Sequence, residues 1–107
     1  RNKLDVLLGN AYIEIGNHIS NTIGPDTSNY YFLEALKIYD KKDDLSTKLM
    51  IFQNIGINYG RIGKIPTAIE YFFKALKMAD KLKDSTSTFM VKKNIGLAFI
   101  AGNLIWL

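Results

Sequence analysis

Two asparagines sit forty residues apart in the same tripeptide, Asn54-Ile55-Gly56 and Asn94-Ile95-Gly96. A side-chain amide both donates and accepts, so each can pair with both polar groups of an extended peptide unit. Two such amides in register could hold a backbone without reading its side chains. The plainer reading is a solvated polar position beside a helix interface. The other chemistry-bearing residues do not converge. His18 is the single histidine, has no second ligand or base beside it, and reads as a surface residue. Cysteine is absent, which excludes disulfides and thiolate metal sites. No Gly-rich phosphate loop follows a strand pattern, and no nucleophile stands at a recognisable elbow. The carboxylates gather in "DKKDD" (40–44) and "DKLKD" (80–84), where helix capping explains them. We therefore expect no enzyme, no catalytic residue, no metal site and no cofactor.

Charge gives a second possibility. The net charge is +4, and Lys74, Lys77 and Lys81 share one helix face, echoed by Lys37 and Lys41. Such a stripe could meet phosphates. Asp40 and Asp80 interrupt it, and mixed blocks usually mark solvated helix ends, which argues against nucleic acid. The longest charge-free stretch, "NIGLAFIAGNLIWL" (94–107), is shorter than the roughly 18–20 apolar residues of a membrane span. No direct membrane contact is expected.

Both the asparagines and the lysines recur because the chain repeats itself. "SNYYFLEALKIYD" (28–40) returns as "AIEYFFKALKMAD" (68–80). Shifted by forty, Thr27 falls on Thr67, Tyr31 on Tyr71, Phe32 on Phe72, Ala35 on Ala75, and Met50 on Met90. A third copy shows upstream, where Ile15-Gly16 precedes Ile55-Gly56 by the same interval, although Glu14 stands where the asparagine would be. Self-similarity at a period of 20–50 residues marks stacked repeats. Each unit carries two amphipathic helix patterns. Ile51, Phe52, Ile55, Tyr59 and Ile62 form the first, with Ala11, Tyr12, Ile15 and Ile19 upstream and Val91, Ile95 and Phe99 downstream. Phe32, Ala35, Leu36 and Tyr39 form the second, copied by Phe72, Ala75, Leu76 and Ala79.

Turn residues bound these patterns. "IGPDT" (23–27) and "GKIPT" (63–67) join the helices within a unit, and Pro66 suits a helix start. Thr67 with Glu70 has capping-box spacing, while Asp44 or Ser46, and Asp84 or Ser85, can cap the following helices. The expected helices are 4–22, 27–42, 45–62, 66–83 and 86–102. Glycine inside a helix costs about 0.5–1 kcal/mol against alanine. Gly16, Gly56 and Gly96 recur at one place per unit, so we expect small-on-small contacts with Ser28 and Ala68, flanked by Phe32 and Phe72.

Unit two reads Phe52, Ile55-Gly56 and Tyr59, then Ala68, Phe72 and Ala75. This spacing resembles the tetratricopeptide repeat (TPR), in a long form with a period of forty rather than thirty-four and without the closing proline. That form is similar to repeats of bacterial sensory and regulatory proteins. The resemblance implies an all-α fold, a right-handed α-solenoid of antiparallel helix pairs with about two and a half repeats and five helices. The units would span about 4–44, 45–84 and 85–107, in a single domain over 1–107 read as a fragment of a longer array; the start at Arg1 rather than Met is expected of a fragment or a processed product.

The resemblance also implies a concave groove lined by the first helices. Its positions here are Asn10, Ile13, Glu14 and Asn17; then Met50, Gln53, Asn54, Ile57 and Arg61; then Met90, Lys93, Asn94 and Leu97. Asn54 and Asn94 fall where some family members hold a peptide by an asparagine ladder. Ile13, Met90 and Asn94 stand where a carboxylate clamp wants basic residues, so no such clamp is expected. The implied partner is a protein or peptide, and the implied role is the sensory or regulatory module of a signalling protein, in the cytoplasm or as a periplasmic sensor region. A spacer or dimerisation module is the alternative. Phe99, Ile100, Leu104, Ile105 and Trp106 should pack against a second helix of unit three beyond Leu107; without it they should leave an apolar patch on the last helix, a route to a homodimer through truncation.

Overall fold

The structure, a computed structural model, describes residues 3–40 and 44–106, the side chains of 104–106 excepted. It is all-helical among the described residues. Helix α1 is Lys3–Ile19, α2 Pro25–Tyr39, α3 Leu45–Arg61, α4 Ile65–Leu82 and α5 Ser85–Trp106.

Local chemistry explains where each helix starts and stops. The amides of Thr22, Ile23 and Gly24 all bond the Ile19 carbonyl, which closes α1 three residues before the expected end. Gly24, at φ 147, turns the chain in a conformation that favours glycine, and Pro25 opens α2 two residues earlier than expected. Asp44 caps α3, accepting from the Thr47 amide at 3.1 Å and the Thr47 hydroxyl at 2.7 Å. The Thr67–Glu70 capping box does not form. Lys64 is the N-cap of α4, Pro66 lies in the first turn, and Thr67 is already helical. Asp84 receives the Thr86 amide and the Ser87 hydroxyl ahead of α5. The hydrogen bond from the Ser87 hydroxyl, with the opposing effect of burial partly offset by the Ser87 and Thr86 amides, holds its carboxyl below the usual carboxylate range. Helix α5 continues to Trp106, past the expected end at 102, since no proline interrupts it.

Adjacent helices pack antiparallel. The Cβ positions of Gly9 and Gly16 face Tyr39 and Phe32, and those of Gly56 and Gly60 face Phe72 and Ala68. In each pair of contacts, one residue number rises as the other falls by the same step. Two apolar clusters share α3. One joins Ile13, Phe32, Ala35 and Tyr39 to Ile51 and Ile55. The other joins Leu49 and Phe52 to Phe72, Ala75, Val91 and Ala98. Helix α3 therefore packs in front on α4 and behind on α2. The molecule measures 50 × 35 × 17 Å, its least dimension about the depth of two packed helices.

Two packing expectations change. Ser28 meets Gly16 as expected, its hydroxyl on the Gly16 carbonyl, but Ala68 meets Gly60 rather than Gly56, and the Cβ positions of Gly16 and Gly56 face the rings of Phe32 and Phe72. The buried face of α1 is also rotated. Gly9, Ile13, Gly16 and Ile19 are buried, whereas Ala11 and Ile15 are exposed. Ile51 and Ile55, at the matching places of α3, are fully buried against α2. No helix occupies that side of α1 among the described residues. Ile13, assigned to the groove, is 6% exposed and belongs to the core.

Candidate functional site

Side-chain hydrogen bonds bridge helices that are not consecutive in the chain. Asn54 on α3 donates from Nδ2 to Asn17 Oδ1 on α1 at 3.3 Å. Asn94 on α5 donates from Nδ2 to Gln53 Oε1 on α3 at 2.7 Å. Arg61 at the end of α3 reaches back to Ser20, donating from Nη1 to its hydroxyl at 2.7 Å and its carbonyl at 3.3 Å. These bonds tie α1 to α3 and α3 to α5.

A cleft of about 350 Å³ lies between α1 and α3. Asn17 and Asn21 line one side, Asn54, Ile57 and Arg61 the other. The spacing 54, 57, 61 puts these three on one stripe of α3. The lining holds one cation, several amides and no carboxylate. It is suited to groups that both donate and accept, as a peptide backbone does.

Beneath the cleft runs a buried polar chain. Ser20 donates to Asn58 Oδ1 at 2.8 Å. Asn58 Nδ2 donates to Ser28 Oγ at 3.0 Å and to Asn29 Oδ1 at 2.8 Å. Ser28 donates to the Gly16 carbonyl at 2.7 Å, and Asn29 to the Ile55 carbonyl at 3.5 Å. Every donor in this series points the same way, from Arg61 inward, and such chains strengthen one another in a low dielectric. Ser28, Asn29 and Asn58 are buried, and no buried side-chain polar atom among the described residues lacks a partner. The chain fixes the floor of the cleft and orients the Arg61 side chain. Sequence reasoning missed it. The available signal was Asn58 itself, set into the apolar row Ile51, Ile55, Ile62.

The expected groove residues thus divide. Asn54, Ile57 and Arg61 share the cleft with Asn17. Gln53 and Asn94 are half-buried and bonded to each other, so Asn94 is a link between helices rather than a second rung beside Asn54. Asn10 accepts the Tyr39 hydroxyl and ties α1 to α2. Glu14, Met50, Met90, Lys93 and Leu97 are exposed and do not line this cleft.

The lysine stripe is partly engaged. Lys37 pairs with Glu34 at 2.8 Å, and that hydrogen bond raises its pKa. Lys74 lies 5.7 Å from the centre of the Tyr71 ring. Lys77 and Lys81 are exposed, and Lys41 lies outside the described residues. His18 is exposed. Among the described residues, no group of acidic residues and histidine is placed to hold a metal, and no helix is long and apolar enough to cross a membrane. Comparison with protein-family models, with curated proteins and with solved structures finds no match.

Proposed function

We propose that this protein is a helical-repeat scaffold of the TPR type that takes an extended peptide, or an extended segment of a partner protein, in the cleft between α1 and α3. The observation that carries this reading is the convergence of Asn17, Asn54, Ile57 and Arg61 on one open cleft of about 350 Å³ with no carboxylate in its lining. The repeated seating of an aromatic ring on a helix glycine, and the lateral bonds from α1 to α3 to α5, support a solenoid whose first helices share a ligand face.

The rungs of the ladder are Asn54 and Asn17. Their mutual bond is long and solvent-exposed, so exchanging it for ligand bonds costs little. Asn94 is held closer and is half-buried, so it shapes the face instead. Ile57 supplies apolar contact and Arg61 the single charge. The bonds of Arg61 to Ser20 use only Nη1. Sensory or regulatory duty in a larger signalling protein fits a module of this kind, which recognises a segment and carries out no chemistry.

The test is fluorescence anisotropy with a mixed-sequence peptide library, at low and high salt, on the protein and on an Asn17→Ala/Asn54→Ala variant. Binding that survives salt and is lost in the variant is the expected outcome. Binding unchanged in the variant would remove the amide ladder. Binding abolished by salt in both proteins would move the site to the lysine face.

A further inference from the structure

Arg61 is the one charged residue in the lining of the cleft, whose walls and floor come from α1, α3 and Phe32 of α2. Its guanidinium is held from one side. Nη1 makes both of its bonds, to the hydroxyl and the carbonyl of Ser20. Ser20 is fixed in turn by Asn58, and Asn58 by Ser28 and Asn29. The other edge of the fork, Nε with Nη2, has no partner among the described residues, and Arg61 makes no ion pair there. Two N–H groups on one planar edge match the two oxygens of a carboxylate. One turn before Arg61, Ile57 is 43% exposed in a lining otherwise rich in amides.

We infer that the cleft selects peptides that carry an aspartate or glutamate side chain with an apolar residue two positions away, the carboxylate meeting the Nε–Nη2 edge of Arg61 and the apolar side chain meeting Ile57. This rests on the reading of the cleft as a site for an extended peptide. The spacing follows from two periodicities. Ile57 and Arg61 are four residues apart, about 6 Å along the helix. Side chains on one side of an extended strand recur every second residue, about 6.7 Å. A strand lying along α3 therefore brings residues two apart over Ile57 and Arg61. Charge complementarity sets the sign. The lining holds no carboxylate, so an acid meets no like charge, whereas a lysine in its place would face Arg61. Arg61 is tied to Ser20 before any ligand arrives, so less side-chain freedom is lost on binding. Asn17 and Asn54 hold the backbone, and Arg61 with Ile57 reads two of its side chains.

The test divides the peptide library into pools blocked at both ends and randomised except at one position, fixed as glutamate, glutamine or lysine. Anisotropy at low salt should show the glutamate pool binding at least about tenfold tighter than the glutamine pool, with lysine weakest. Sequencing of the bound glutamate peptides should show leucine, isoleucine or valine enriched two residues from the glutamate. Arg61→Gln should level the glutamate and glutamine pools, and Arg61→Glu should turn the preference to lysine. Arg61 is exposed in the last turn of α3, so both variants should keep the helical circular dichroism of the protein. Equal binding of all pools would overturn the proposal and leave the peptide reading standing. A glutamate preference that persists in Arg61→Glu, or apolar enrichment at no fixed distance, would overturn it as well. An unblocked glutamine pool that binds as tightly as the blocked glutamate pool would put the carboxylate at the chain end, against the proposal. No binding by any pool would remove the peptide reading and the proposal with it.

Discussion

Alanine substitution at Gly16, Gly56 and Gly96 probes the packing with one chemical change at three matched places. In an exposed helix the change gains about 0.8–1.0 kcal/mol at each site. The surroundings then decide the sign. At Gly56 the new methyl would lie 2.6 and 2.8 Å from two atoms of the Phe72 ring. That ring is 4% exposed and held among Ala68, Ala75 and Ala79, all fully buried, so it has little room to retreat. Overpacking of this kind costs about 1–3 kcal/mol, and two contacts under 3.0 Å put it toward the upper end. The expected net loss for Gly56→Ala is about 1–2 kcal/mol. At Gly16 the nearest approach is 3.0 Å, and gain and loss roughly cancel. At Gly96 nothing is met, and the full gain of about 1 kcal/mol remains. Thermal unfolding by circular dichroism should rank the variants 96 above 16 above 56, with each kcal/mol moving Tm by about 4–8 °C. Equal shifts at all three sites, or a stabilised Gly56→Ala, would refute the seating of Phe72 on Gly56.

Asn58→Ala removes the hub of the buried chain: Asn29 Oδ1 loses its donor, and the Ser20 hydroxyl, which still accepts from Arg61, loses its acceptor. Unsatisfied buried groups cost about 1–3 kcal/mol each, so urea unfolding should show a loss of about 2–4 kcal/mol. Asp44→Ala should cost about 1 kcal/mol through the lost cap of α3 in the same assay. Burial, followed by its neighbours, raises the Tyr71 phenol above its ordinary 10.0, and burial does the same for Tyr39. A raised folded pKa contributes stability that is intact below pH 10.0 and is lost as pH climbs through the folded value, so stability should fall on the alkaline side. Spectrophotometric titration should show these two phenols ionising late, and Tyr71→Phe should reduce the alkaline loss.

The repeat made most of the helix order legible, because copied residues such as Phe32 and Phe72 do the same job in each copy. What the repeat hid was everything specific to one unit. Position 58 is asparagine in the second unit, histidine (His18) in the first and alanine (Ala98) in the third, so superimposing units averages the buried network away. Asn29 has Ile69 as its counterpart and was equally invisible. The rotated face of α1 escaped for another reason. Ile15 matches Ile55 in sequence, yet among the described residues only Ile55 has a helix to pack against, and periodicity does not report which neighbours exist. The candidate site was half legible. The stripe 54, 57, 61 follows from helical spacing alone. The pairing of Asn54 with Asn17, rather than with Asn94, depends on how α1 and α3 lie side by side, which no local pattern encodes.

The most direct test of the peptide-binding claim is a ¹H–¹⁵N map of the protein titrated with a peptide selected from the library. The expected result is a set of shifts confined to Asn17, Asn21, Asn54, Ile57 and Arg61, with the side-chain amides of Asn17 and Asn54 moving most. Shifts on the face of Lys74, Lys77 and Lys81, or no peptide that moves the cleft resonances, would contradict it.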